Sequence, residues 1–142
     1  MVQLYNHNYK NNFEHGWNVP VDEQILWGWS RDQPGEGHNV DRKPRGFGPE
    51  YKFLYVVGVQ VTTTFEHVRS KEVKDKSKYT KEYGSGAASF LRLCESTGIE
   101  GINRAVIADI WFGDITCVLG LSKLGLQSIK TIKTRTVGYC KQ

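Results

Sequence analysis

The chain has 142 residues, 39% of them hydrophobic and 24% charged, with a formal net charge of +4; this suits one domain with a proper core rather than two. No apolar run approaches the ~20 residues of a membrane span, and the opening MVQLYNHNYKNNFEH has neither the apolar stretch of a signal peptide nor the Arg and Ser of a transit peptide. Cys94, Cys117 and Cys140 are an odd set with no CxxC spacing and no nearby His, so they read as reduced thiols of an intracellular protein rather than a zinc site.

In chain order, residues 1–16 are polar and Asn-rich and read as a loosely held lead-in. WNVPVDEQILWGW, 17–29, is apolar and β-prone, with Val19 and Val21 alternating and Asp22 close behind; Pro20 argues for a late start to this strand. SRDQPGEGHNVDRKPRGFGPE, 30–50, holds three of the chain's four prolines among several glycines and marks a long loop. YKFLYVVGVQVTTTFEHV is too long for one strand and predicts a hairpin turning near Gly58, with its second strand at about 61–69. SKEVKDKSKYTKEYGSG is charged, ends in Gly84 and Gly86, and reads as a second loop.

A helix follows, with Ala87, Phe90, Leu91 and Cys94 on one buried stripe, and STGIEG ends it. RAVIAD is a short continuous apolar strand. DITCVLGLSKLGL is a helix with Ile115, Val118 and Leu119 on one face, stopped by Gly125 and Leu126. LQSIKTIKT is a further strand, and strand, helix, strand within about thirty residues is a βαβ unit whose strands run parallel. The order strand, strand, strand, helix, strand, helix, strand predicts a mixed sheet with flanking helices, an α/β arrangement that fits a ribonuclease-H-like core.

The carboxylates carry the chemistry. Asp109 ends the apolar run Val106, Ile107, Ala108, at the C-terminal edge where open α/β sheets bind ligands. Asp109 or Asp114 can instead cap the following helix, and Asp114 stands where an N-cap belongs. Asp22 and Glu23 form the other acidic pair on an apolar strand. Adjacent strand residues point to opposite faces, so only one of them can share a site with Asp109. Two carboxylates close together repel unless a cation bridges them, and oxygen donors favour Mg²⁺ or Mn²⁺.

Three segments, in order, resemble the piggyBac-like DDE transposases. VIADIWFGDITCVLGLSKLGLQSIKTIKTRTVGY, Val106 to Tyr139, is similar to the segment around their second catalytic aspartate. VPVDEQILWGW, Val19 to Trp29, is similar to the segment around the first, and RKPRGFGPEYKFLYVV, Arg42 to Val57, to the stretch leading into their second strand. The likeness spans Val19 to Tyr139 and rests on the ordered set rather than on any one motif. It implies that 17–142 is the N-terminal part of a ribonuclease-H-like domain that cuts and joins DNA with Mg²⁺ or Mn²⁺, Asp22 matching the first catalytic aspartate and Asp109 the second. It implies DNA as partner, both transposon ends and target, with a homodimer and a nuclear location going with that reading and no membrane contact.

The sequence departs from the family's pattern in three places. The family's third catalytic aspartate lies further downstream than Gln142, so the expectation is a domain incomplete at its C-terminus and inactive as this chain. Ile110 and Asp114 stand where small polar residues are usual, and VVGVQV replaces a polar turn. Basic residues cluster in the first loop (Arg42, Lys43, Arg45), in the second (Lys71, Lys74, Lys76, Lys78, Lys81) and along the last strand (Lys130, Lys133, Arg135). Each cluster by itself is an ordinary solvated face. The resemblance favours Lys43, Arg45, Lys130 and Lys133 as phosphate contacts. Trp17, Trp27, Trp29 and Trp111 read as packing residues, and His15, His38 and His67 are isolated. Two other readings stand beside the transposase: a non-catalytic DNA-binding or interaction module descended from one, and an unrelated nuclease on RNA that would need Glu66 or Glu95 near the aspartate pair.

Overall fold

A computed structural model describes residues 1–26, 37–39, 47–57, 61–68, 71–101, 103–109, 112 and 114–131. Trp27, Trp29, Lys43, Arg45, Ile110, Trp111, Lys133 and Cys140, with the turn at Gly58 and most of the first long loop, lie outside the described residues. The elements are α1 (Val2–Asn12), β1 (Asn18–Ile25), β2 (His38–Asn39), β3 (Phe47–Gly48), β4 (Glu50–Val56), β5 (Val61–His67), α2 (Lys71–Asp75), α3 (Thr80–Thr97), β6 (Ala105–Ala108), α4 (Ile115–Lys123) and β7 (Gln127–Lys130).

Five strands form one sheet in the order β5-β4-β1-β6-β7, and β2 and β3 form a separate two-stranded ladder. β1 pairs antiparallel with β4, and β4 with β5; β6 runs parallel to both β1 and β7. The parallel half follows from the connections, since β6, α4 and β7 form the expected crossover unit. Strand β1 begins at Asn18, earlier than Pro20 led us to expect. Its pairing with β4 starts only at Val21, one residue past the proline, where the chain again has an amide to donate. The β4–β5 ladder shifts register between Leu54 and Tyr55, leaving Thr63 as the extra residue. Thr63 is fully buried, and its hydroxyl donates to the Leu54 carbonyl at 3.2 Å.

The core lies between one face of the sheet and helices α3 and α4. Val19, Val21, Leu54, Val106 and Ala108 from the strands meet Phe90, Leu91, Cys94, Cys117 and Leu121 from the helices. Gly120 permits the close approach of the two helices, because a Cβ there would come within 2.7 Å of Leu91 Cδ1. Cys94 and Cys117 are free and buried, and burial raises both thiols above their ordinary range, which keeps them protonated. The helix ends follow local chemistry. Asp114 caps α4 by accepting from the Thr116 amide at 3.1 Å. Gly125, at φ 70°, ends it, with Leu126 N–H returning to the Leu121 carbonyl at 3.0 Å.

Three sequence expectations are corrected. On α4 the buried residues are Cys117, Gly120 and Leu121, and Leu119 is 57% exposed, so the helix packs by a different face from the one Ile115, Val118 and Leu119 suggest. The lead-in contains a helix, α1, with no buried residue, so no apolar stripe announces it. Tertiary bonds to the edge strand hold it instead. The Asn6 amide donates to the Phe65 carbonyl at 2.9 Å and accepts from the Phe65 N–H at 3.1 Å, while the Tyr5 hydroxyl donates to the Thr62 carbonyl at 2.6 Å. Asn6 thus completes one rung of β5's outer edge, a position that would otherwise invite another strand. The charged second loop also contains helix, α2 and the first turn of α3; Lys and Glu are good helix formers, and Gly84 at φ 78° marks a kink within α3 rather than its start. Replacing Asn6 by Ala is expected to cost about 1–2 kcal/mol in urea unfolding and to raise the self-association seen by light scattering. Unchanged stability and mass would show that solvent satisfies this edge as well as Asn6 does.

Candidate metal and nucleic-acid site

The parallel pairing of β1 with β6 brings Val19 beside Val106 and Val21 beside Ala108. One residue further along each strand stand Asp22 and Asp109. They therefore stand at equivalent positions just past the last paired residues of the parallel β1–β6 ladder, Asp109 beyond the end of β6 and Asp22 within β1, which continues to Ile25, and the inter-strand spacing of ~5 Å sets the scale of their backbone separation. Val21 and Ala108 point into the helix-covered core, so alternation along β1 turns Asp22 to the opposite face, while Asp109 stands just past the end of β6. Both aspartates are exposed. The Asp22 carboxylate accepts from the Glu23 N–H at 2.7 Å, which orients one of its oxygens. The Asp109 carbonyl accepts from the Phe112 N–H at 3.2 Å, starting the turn toward α4.

Glu23 faces the other way, as alternation requires. It meets Lys52 Nζ at 3.3 Å, and Glu50 meets the same ammonium at 3.2 Å. Lys52 is 5% exposed and its ammonium also lies 4.8 Å from the centre of the Phe112 ring. The neighbouring acids Asp22 and Glu23 are thereby sorted into different roles, one at an open rim and the other in an inward ion pair.

Asp22 lies opposite Phe53 in the β1–β4 register. Tyr51, Phe53 and Tyr55 share that face as a row, with ring centres 6.1 and 6.0 Å apart, and Phe65 packs 5.9 Å from Phe53. The Tyr55 phenol is raised above its ordinary range, first by burial and then by the negative charge of Asp22. This aromatic row beside the aspartate stands outside the sequence expectations, which name the tryptophans. The alternation Tyr-Lys-Phe-Leu-Tyr over 51–55 was the available signal. Trp17 is 56% exposed rather than packed.

Among the basic residues proposed for DNA, Lys130 is the described one. It pairs with Ala108 in register, on the helix-covered face, and its ammonium donates to the Phe112 carbonyl at 3.0 Å and lies 4.7 Å from the Phe90 ring centre. In the second cluster Lys78 pairs with Glu95 on the surface. Glu66 forms a two-pronged pair with Arg92 on the helix side, with contacts of 2.6 and 3.0 Å. Glu66 and Glu95 thus have cationic partners away from the aspartate rim, which removes the support for a ribonuclease built on them. His15, which the sequence left without a role, is 7% exposed, and burial followed by the nearby Arg104 charge lowers it to about 4.

Two exposed carboxylates on one rim form an all-oxygen donor pair that suits a hard cation such as Mg²⁺ or Mn²⁺. Among the described residues no group of three or more His, Cys, Asp or Glu side chains is placed to hold a metal ion. The pair fits part of a coordination shell, the rest of which would come from water, substrate oxygens or other residues. Among the described residues no helix is long and apolar enough to cross a membrane.

The strand order, the antiparallel first three strands, the parallel last two and the flanking helices define a ribonuclease-H-like fold. Among solved structures, the chain is similar to a piggyBac transposase seen by cryo-electron microscopy in a synaptic complex with hairpin DNA. The TM-score is 0.80 at 18% sequence identity, over 96% of this chain and 27% of the transposase chain. At that identity the likeness is one of fold. No family model matches the sequence, and no curated protein matches it.

Proposed function

We propose that this chain carries the two-aspartate part of a DNA-cutting and DNA-joining domain of the piggyBac type, with Asp22 and Asp109 as joint ligands of Mg²⁺ or Mn²⁺. The observation that supports this reading most is their equivalent position on neighbouring parallel strands, one step past Val21 and Ala108. Opposite faces or distant registers would have left only a likeness of letters. The similar transposase was solved with hairpin DNA, which supports DNA as the partner. Transposon ends and target DNA, a homodimeric assembly and a nuclear location belong to the same proposal.

A divalent ion held there would activate a water or 3′-hydroxyl and stabilise the leaving oxygen of a phosphodiester. The chain's own part is to present two carboxylates at one rim, with one Asp22 oxygen oriented by the Glu23 amide. We assign Lys43, Arg45 and Lys133 to the phosphate backbone, a grip that weakens steeply with salt. With two acids at the rim, the 142-residue chain should bind the ion weakly and cut DNA poorly.

The test has two parts. Mn²⁺ binding, followed by electron paramagnetic resonance, should occur in the sub-millimolar to millimolar range. It should weaken by about tenfold or more in Asp22→Asn and in Asp109→Asn, with thermal stability retained. Mn²⁺ binding that neither substitution alters would remove the pair from the site. On supercoiled plasmid carrying terminal inverted repeats, robust nicking lost on Asp22→Ala or Asp109→Ala would overturn the expected inactivity while keeping the assignment of the pair.

A further inference from the structure

We infer that Lys130 is a positioning residue for Asp109, its inward-turned ammonium holding the chain between β6 and α4 through the Phe112 carbonyl. The path from β6 to α4 is short and is anchored at both ends. Ala108 pairs with both β1 and β7, and Asp114 is bound to the first turn of α4 through the Thr116 amide. Asp109 and Phe112 are the described residues between them. The Phe112 amide bonds back to the Asp109 carbonyl, so whatever holds Phe112 also limits where Asp109 can move.

Further contacts hold Phe112 from the core side. Its ring, 2% exposed, stacks on Phe90 with centres 5.1 Å apart and planes at 21°. The buried Lys52 ammonium stands 4.8 Å from the ring centre. Lys130 adds a charge-assisted bond of 3.0 Å to the Phe112 carbonyl, with its ammonium 4.7 Å from the Phe90 ring centre. A hydrogen bond that is charged and partly buried is stronger than a neutral one and costs more to break.

The geometry also distinguishes this role from a phosphate contact. A lysine gripping DNA beside Asp109 would reach out from the rim face. Lys130 shares its face with Ala108, toward α3 and α4, and its ammonium also lies against the Cys117 thiol, whose upward shift by burial it opposes. The holding of the turn stands on these contacts alone. Its consequence for metal rests on the proposed role of Asp109.

The experiment compares Lys130→Met, Lys130→Gln and Lys130→Arg with the parent chain by amide hydrogen exchange, Mn²⁺ binding and DNA binding over a salt series. In Lys130→Met, exchange of the Phe112 amide should quicken by about tenfold, while amides of β1 and β4 keep their protection. Mn²⁺ affinity should fall by about tenfold. Lys130→Arg should restore both, because it keeps a charged donor. Lys130→Gln, which keeps a shorter neutral donor, should fall between them and serves as the readout if the methionine variant folds poorly. Unchanged Phe112 exchange in folded Lys130→Met or Lys130→Gln overturns the inference. So does a salt dependence of DNA binding reduced by about one phosphate contact with Phe112 exchange unaltered. If the parent binds no Mn²⁺ yet Phe112 exchange quickens, the turn is held by Lys130 as stated and it is the metal reading of Asp109 that falls.

Discussion

Lys52→Met is expected to lower the free energy of unfolding by about 3–5 kcal/mol. Lys52 is buried between Glu23 and Glu50, whose side chains are 9% and 16% exposed. A methionine fills the space but leaves two carboxylates without this cation. A buried charge that loses its partner costs more than the intact pair contributes, so the loss should exceed that of an exposed ion pair such as Lys123–Glu82. Adding Glu23→Gln and Glu50→Gln should recover part of the loss at neutral pH. Urea unfolding of the single and triple variants checks this, and a cost below about 1 kcal/mol would mean that water reaches the trio.

Phe90→Ala should be comparably damaging, at about 3–5 kcal/mol, or a fall of roughly 10 °C in melting temperature for a domain of this size. The side chain is fully buried at the meeting of α3 with the sheet and stacks on Phe112. Its removal opens a cavity and also takes away the surface against which the Asp109 turn rests. The second effect has its own signature. Phe90→Ala and Phe112→Ala should combine to less than the sum of their separate costs, since each removes the other's partner. Strict additivity in thermal or urea unfolding would show that the two rings contribute independently.

The strands and long helices were readable because their signals are local. The alternation of Val19 and Val21, the apolar run before Asp109, the helical stripe of Ala87, Phe90, Leu91 and Cys94, and the glycine stop at Gly125 each report on a few neighbouring residues. All four match the structure. Helix α1 was not readable for the converse reason. None of its residues is fully buried, and it is tied down by Tyr5 and Asn6 bonding to a strand some sixty residues away, a contact that leaves no periodic trace. The start of α3 was obscured by Gly84, which the chain accommodates as a kink.

At the candidate site the same division holds. Letters and spacing pointed to Asp109 and to the Asp22–Glu23 pair, the family resemblance chose Asp22 from that pair, and alternation alone said that Glu23 must face away from it. The equivalent position of Asp22 and Asp109 in neighbouring strands came from long-range pairing, because register is a relation between segments far apart in the chain. The direction of the lysines came from the same source. In the sequence Lys52 and Lys130 are two cations among many on a basic chain. Folding turns both inward, since each sits on a strand face that α3 and α4 cover, where carboxylates, a carbonyl and aromatic rings take the place of water.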